Sequence, residues 1–398
     1  MIANQNPVVI SRSPAPSPSQ GQLLQATFDL CVRKIRKNIK RLADEPKSAA
    51  LAVDGNYFNF KEGFYEIGNW TSSFFTGMAL LAWRDTEDEY FLQQSLRLLP
   101  HYRAKVFDPI YVLDTHHDLG FLYSLYSVAL HKLTGDPIHR DTGLRAAQVL
   151  SERFHEKGNF IRAWGRMDTD EFDDMAIIDC LMNLPLLYWA TTQGGNPRYH
   201  EIAVRHADMA LKNFVRADDS VFHAYRFDLK TGQPLQGDTY GGHSTSSHWA
   251  RGTAWAIYGF ALSHAYTHDR KYLDAALRLA RKFIANLDDE VVPVWDFKLP
   301  STHPRLRDAS AAAVAVCGFQ ELARQGAADA TIFKAKDRLL VRMCSADYLN
   351  LDESVPGLQK QGMIGDGPGG AKNAYTSWGD YYLMEALSCE LKSNETFW

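Results

Sequence analysis

The chain has 398 residues, 45% of them hydrophobic, and its 43 Lys and Arg against 47 Asp and Glu give a formal net charge of −4. A chain of this length can bury its own core, and without a basic stripe we expect no nucleic-acid partner. Its five cysteines form no C-x-x-C pair and no stretch is long enough to span a membrane, so we expect reduced thiols in a cytoplasmic protein without a membrane partner.

Residues 1–20 are predicted to be a flexible N-terminal tail, because Ser and Pro dominate residues 11–19 and the apolar segment of an export signal is missing. From residue 21 onwards, amphipathic or apolar segments follow one another at helical spacing, with few strand-like runs. The pattern predicts about twelve helices, at residues 21–43, 70–85, 87–107, 117–134, 138–156, 173–194, 197–215, 249–268, 270–287, 308–325, 329–347 and 374–392.

More apolar segments alternate with more charged ones, and short turns join several of them into weakly self-similar hairpins. Six such hairpins in a ring would cover the inner helices on all sides and leave the outer helices one face in water. The pattern therefore predicts an all-α fold, an α6/α6-barrel formed by residues 21–398 as one catalytic domain, with an α-solenoid as the alternative. Residues 220–240 alternate like a strand and contain turn residues, which predicts a short β-hairpin projecting from the ring.

Asp179 is the single carboxylate of the apolar run 175–189, which the helical pattern predicts to be buried. An uncompensated carboxylate there costs on the order of several kcal/mol, and it tends to keep its proton near neutral pH. A general acid needs that property, so Asp179 is a candidate catalytic residue. The alternative is a core Asp whose oxygens are satisfied by hydrogen bonds.

Polar residues also lie at the predicted starts of inner helices. Asp118 follows His117 where a helix N-cap would stand, so it either caps the helix or, with the imidazole, binds sugar hydroxyls. Arg251 and Trp255 lie one helical turn apart, a pair suited to gripping a carboxylate and stacking on a pyranose ring, with core packing as the alternative.

Three further tryptophans lie near such starts: Trp70, Trp164 and Trp378. Each alone is explained by packing, but together they resemble the aromatic lining of a carbohydrate cleft. Neither a His-Glu-x-x-His helix nor a Cys/His cluster occurs, and phosphate-binding and dinucleotide-binding loops are missing. We therefore predict no metal site and no cofactor.

Four blocks resemble the unsaturated glucuronyl hydrolases of glycoside hydrolase family 88, at residues 117–121, 177–187, 249–259 and 381–387. The resemblance implies an α6/α6-barrel and an enzyme acting on disaccharides or oligosaccharides left by polysaccharide lyases, including those from glycosaminoglycans. Such enzymes hydrate the C4=C5 double bond of the terminal uronic acid, and the resulting hemiketal opens to release the rest of the chain.

The same resemblance implies roles for individual residues. Asp179 would be the general acid/base, protonating C4 and helping water add at C5, and Asp118 would be a second essential carboxylate that holds the sugar. The residues implied to bind the unsaturated uronate are Trp70, His117, His223, Trp255 and, nearest its carboxylate, Arg251.

One segment departs from the family pattern: residues 240–243, Tyr-Gly-Gly-His, stand where a His-Gln-Gly-type segment is expected. His243 is the candidate for the missing polar contact, and Lys360 and Lys372 are candidates for binding a sulfate on the second sugar.

The alternatives to an unsaturated glucuronyl hydrolase are an unsaturated rhamnogalacturonyl hydrolase, a sugar epimerase with His bases on the same barrel, and a carbohydrate-binding barrel without activity. The oligomeric state stays open.

Overall fold

A computed structural model describes residues 18–42, 50–57, 70–366, 370–392 and 395–398. Residues 1–17 of the predicted tail lie outside these ranges, and the first helix begins three residues before the predicted boundary. The α-helices of the described ranges are α1 (Pro18–Leu42), α2 (Ser72–Thr86), α3 (Glu89–Leu96), α4 (Leu99–Phe107), α5 (Leu119–Tyr123), α6 (Ala129–Thr134), α7 (Pro137–Glu152), α8 (Leu184–Thr192), α9 (Arg198–Asn213), α10 (Ala250–Thr267), α11 (Arg270–Ala285), α12 (Ala309–Arg324), α13 (Ala330–Met343) and α14 (Ser377–Leu391).

Six helical units form a closed inner ring. A π-helical segment, Ser124–Val128, joins α5 and α6 into one unit. This unit contacts α2 and α8, and the ring continues through α10, α12 and α14 back to α2. The remaining helices pack outside it. The predicted α6/α6-barrel is therefore confirmed.

Burial explains which helices are inner and which are outer. In α10 every residue from Ala250 to Ser263 is buried, as expected of a helix surrounded by neighbours. In α11 the basic residues lie on an exposed face while Leu, Ala and Phe side chains face the ring. Among the described residues, no helix combines the length and apolar character that crossing a membrane requires.

The strands are short and project from the ring: β1 (Leu51–Ala52), β2 (Phe154–His155), β3 (Phe160–Ile161), β4 (Met175–Ile177), β5 (Ala224–Phe227), β6 (Pro234–Asp238) and β7 (Tyr375–Thr376). Strands β5 and β6 form the predicted hairpin. Strand β4 adds to it as a third antiparallel strand, in the order β4-β5-β6, while β1 pairs with β7 and β2 with β3.

The predicted helix at 173–194 is wrong in its first half. Residues 175–177 form β4, a 3-10 turn covers Ile178–Met182, and the α-helix begins only at Leu184. Pro185 explains the late start, because proline has no N–H to donate and fits only the first turn of a helix. Asp179 therefore lies on the 3-10 turn ahead of α8.

Candidate active site

Asp179 and His223 meet because strands β4 and β5 pair. The antiparallel register sets Ile177 opposite Ala224, and the N–H of Ile178 donates to the His223 carbonyl at 2.9 Å. His223 Nε2 consequently lies 3.5 Å from Asp179 Oδ2, at the outer limit of hydrogen-bonding distance. The pairing of β4 with β5 creates this contact, and a helix over residues 173–194 would have prevented it.

The backbone around His223 fixes which ring nitrogen carries hydrogen. Its Nδ1 accepts from the N–H of Tyr240 at 3.0 Å and from the N–H of Gly241 at 2.7 Å. A nitrogen that accepts two N–H groups carries no hydrogen itself, so in the neutral ring the hydrogen is on Nε2. His223 therefore presents an N–H to Asp179.

Asp179 is largely buried, with its side chain 15% exposed, and its Oδ2 has no partner in good hydrogen-bonding geometry among the described residues. Burial acts to raise the pKa of Asp179, but His223, His117 and Arg251 outweigh burial and hold that pKa below its ordinary value. The prediction that Asp179 keeps its proton is thus wrong for the free protein, because it considered burial without these neighbours. The unsatisfied oxygen also disagrees with a fully satisfied core Asp.

Asp118 stands at the N-cap of α5, yet its side chain makes no capping hydrogen bond. Its Oδ1 lies 3.2 Å from Nε2 of the fully buried His117. Burial acts to lower the pKa of His117, but Asp118 and Cys180 outweigh burial and raise that pKa to about 10. At neutral pH this favours the protonated His117 ring, whose charge lowers the pKa of Asp179.

Asn183, a residue not predicted for the site, links the two acidic segments. Its Oδ1 accepts the N–H of Phe121 at 2.7 Å, and its Nδ2 donates to the Asp179 carbonyl at 3.3 Å. Gly120 permits this approach, because a Cβ there would lie 2.2 Å from the Cα of Asn183. The Gly and the Asn in two of the blocks that resemble the family were the signal that could have revealed this link.

Arg251 is held in place by groups at the start of α12 and by the backbone at Met363. Its Nη1 donates to the Met363 carbonyl at 2.6 Å and to Ser310 Oγ at 3.3 Å, and it pairs with the buried Asp308. Within the described ranges these bonds all start at Nη1, which leaves the opposite edge of the guanidinium for a ligand. Asp308, the N-cap of α12, was not predicted as part of this arrangement.

The predicted tryptophans divide into two pairs. Trp70 and Trp164 are partly exposed, and the Trp164 ring meets Tyr240 edge-on at 5.1 Å. Trp255 and Trp378 are fully buried. Trp255 is buried against Phe121, so the expected direct stacking of Trp255 on a sugar is corrected, and its ring instead supports the residues around the site. Trp378 lies between Trp70 and the Arg251 guanidinium.

None of the described contacts of His243 reaches Asp179 or Asp118. Its ring is 4.7 Å from that of His303, and its N–H donates to the buried Asp296 at 3.0 Å. Its expected role as a replacement substrate contact stays a prediction.

Comparison with known proteins agrees with this geometry. The family model described as Glycosyl Hydrolase Family 88 matches residues 53–385. An unsaturated glucuronyl hydrolase of Bacillus sp. (strain GL1) is 37% identical over 323 residues, 80% of this chain and 85% of the relative. An unsaturated chondroitin disaccharide hydrolase of Streptococcus pneumoniae (strain ATCC BAA-255 / R6) is 36% identical over 338 residues, 83% of each chain.

A solved structure extends the likeness to three dimensions. The crystal structure of the unsaturated glucuronyl hydrolase from Bacillus sp. GL1 matches with a TM-score of 0.85 at 33% identity, covering 93% of this chain and 97% of that chain. Family model, relatives and structure thus agree over most of the chain. This protein belongs to glycoside hydrolase family 88.

Proposed function

We propose that this glycoside hydrolase removes the terminal 4,5-unsaturated uronic acid from lyase-generated oligosaccharides by hydrating the C4=C5 double bond. The observation that carries the proposal is the unsatisfied Oδ2 of Asp179, aimed at His223 within a group that also holds His117, Asp118 and Arg251. Relatives named for hydrolysis of unsaturated glucuronyl and chondroitin disaccharide substrates support the same chemistry.

The reaction needs one group that gives a proton and then takes one. Protonated Asp179 gives its hydrogen to C4, water adds its oxygen to C5, and the carboxylate recovers a hydrogen from that water. The product is a hemiketal at C5, which opens and releases the rest of the oligosaccharide. Because no second carboxylate attacks the anomeric carbon, the usual spacing rule for paired glycosidase carboxylates does not apply.

Asp179 is ionised in the free site, so it must acquire a proton before it can act as an acid. The substrate supplies the reason, because its uronate carboxylate brings a negative charge into a buried site. A like charge disfavours the ionised form of a neighbouring acid and raises its pKa. We infer that substrate binding and protonation of Asp179 are coupled.

The other groups fit an anionic sugar. The free edge of Arg251 is suited to the uronate carboxylate, since a guanidinium fork binds two oxygens in one plane. Asp118, whose Oδ1 lies beside His117 Nε2 and whose side chain makes no capping bond, is suited to accept hydrogen bonds from sugar hydroxyls. Trp70 and Trp164 offer partly exposed rings for the sugar faces.

The test is a panel of unsaturated disaccharides made by lyases from chondroitin, hyaluronan, heparin, gellan and pectin. Turnover is measured as loss of the ultraviolet absorbance of the double bond. The saturated disaccharides serve as controls, and chromatography should show that they stay intact. We expect glycosaminoglycan-derived disaccharides to be consumed. Exclusive turnover of the pectin-derived substrate would favour a rhamnogalacturonyl hydrolase, and interconversion of reducing sugars without absorbance loss would favour an epimerase.

A further inference from the structure

Three loops bring His243, His303 and Asp366 together at the same rim of the barrel as the acidic site. His243 lies between β6 and α10, His303 between α11 and α12, and Asp366 between α13 and β7. One potential ligand atom from each side chain lies within 4.8 Å of the other two. No other group of three His, Cys, Asp or Glu side chains in the described ranges meets this condition.

The geometry of the three side chains is close to that of a coordination site. His303 Nε2 lies 2.8 Å from Asp366 Oδ2, and the two imidazole rings are 4.7 Å apart between centroids. Zinc binds such donors at about 2.0–2.1 Å, which sets the donor atoms of a tetrahedral site roughly 3.3 Å apart. Small rotations of these three side chains, the His-His-Asp triad, would therefore bring their donor atoms to such distances around an ion.

The donor set selects the kind of ligand. Two imidazole nitrogens and one carboxylate oxygen suit a divalent transition metal, whereas calcium and magnesium prefer oxygen ligands throughout. We propose that His243, His303 and Asp366 bind one such ion, with Zn²⁺ as the best match. The site is separate from Asp179 and does not depend on the function proposed above.

The surroundings of the triad would hold it in place. The Lys372 ammonium pairs with Asp366 Oδ1, which leaves Oδ2 to face the two imidazoles. The backbone of His243 is fixed by its N–H bond to the buried Asp296. The Trp295 ring lies edge-on to His243 at 6.3 Å and tilted against His303 at 6.4 Å. Such outer partners orient metal ligands in characterised sites.

An ion at this place would connect loops that serve the active site. His243 follows by two residues Gly241, whose N–H holds His223. Asp366 follows by three residues Met363, whose carbonyl holds Arg251. The ion would therefore tie together the two backbone segments that orient the imidazole and the guanidinium, as a structural rather than a reacting metal.

The test uses the full chain without a histidine tag, treated with a chelator and then titrated with Zn²⁺ alone. We expect one ion bound per chain, and a rise in thermal midpoint that depends on Zn²⁺ concentration, because an ion that binds only the folded state stabilises it. Co²⁺ in place of Zn²⁺ should give the visible absorption bands of an ion with nitrogen and oxygen ligands.

Three variants locate the ion. H243A and H303A should each weaken Zn²⁺ binding by about 100-fold or more, since even outer-shell changes cost 10–100-fold. D366N keeps the side-chain shape and should weaken binding while retaining the helical circular dichroism of the parent. H101A, which removes an exposed histidine of α4, is the matched control and should bind as the parent does.

Two results would overturn the proposal. One is the lack of saturable 1:1 binding, or binding that H243A, H303A and D366N leave unchanged. The other is stabilisation by sulfate but not by Zn²⁺, lost in H243A and H303A, which would make the cluster an anion site formed by the imidazoles and Lys372.

Discussion

Two buried acids lie at different depths of the same barrel, and their surroundings differ. Asp179, near the helix starts, has an oxygen without a well-formed hydrogen bond among the described residues. Glu385, deeper along α14, accepts hydrogen bonds from the Tyr381 hydroxyl, from the Tyr258 hydroxyl at 2.8 Å and from Trp398 Nε1 at 2.9 Å.

The two carboxyl groups also shift in opposite directions. Burial raises the pKa of Glu385, and its hydrogen-bond donors reduce that shift without reversing it. At Asp179 the neighbouring imidazoles and guanidinium reverse the effect of burial and lower the pKa. Burial alone therefore does not identify a catalytic acid. The distinguishing features are an unsatisfied oxygen and neighbours whose charge can be matched by a ligand.

D179N tests the role of the less satisfied acid most directly. The amide keeps the shape of the side chain but cannot give or take the proton, so we expect the rate to fall by about 10²–10⁴-fold with the thermal midpoint nearly unchanged. The rate is followed by loss of the unsaturated chromophore. Retention of more than about a tenth of the parent rate would contradict the assignment of Asp179.

E385Q is the matched change at the other acid. Its amide places an NH2 group where one carboxyl oxygen accepts, so at least one of these hydrogen bonds must break or reverse, at a cost of about 1–3 kcal/mol in a buried site. We expect the free energy of unfolding, measured with denaturant, to fall by that amount while kcat/KM stays close to the parent value. A large loss of activity in a variant of unchanged stability would show that Glu385 takes part in the chemistry.

Asp179 is also expected to take up a proton when an anionic sugar binds. Calorimetric titration with a saturated uronate disaccharide, in buffers of different ionisation enthalpy near pH 6, should show uptake of up to about one proton per site. The same titration of D179N should show less uptake. Equal uptake by both proteins would assign the proton to another group.

Another prediction concerns His117 and the pH dependence of stability. Its pKa is about 10 in the folded protein and about 6.5 in an unfolded chain, so the charged form stabilises the fold fully below pH 6.5, and this contribution is lost as the pH rises through 10. Thermal midpoints of the parent and H117Q should therefore converge between pH 6.5 and 10. H101Q should follow the parent, and a constant gap for H117Q would contradict the raised pKa.

Local pattern was sufficient for most of the architecture. Apolar residues at helical spacing predicted α10 and its amphipathic neighbour α11, because periodicity is a property of consecutive residues. It failed at residues 175–182, where pairing with β5 overrides the apolar run and Pro185 delays the helix. Asp118 and Arg251 were predicted as site residues. Asn183, which bonds to the backbone of Phe121 and Asp179, and Asp308, which pairs with Arg251, were not predicted.

Composition, helical spacing and short motifs were enough to predict the ring of helices, the family and the acids worth testing. The charge state of Asp179 and the hydrogen position on His223 follow from the folded arrangement instead. So does the meeting of His243 with His303 and Asp366, 60 and 123 residues further along the chain. A pKa or a ligand triad depends on groups brought together by folding, and no local pattern records those distances.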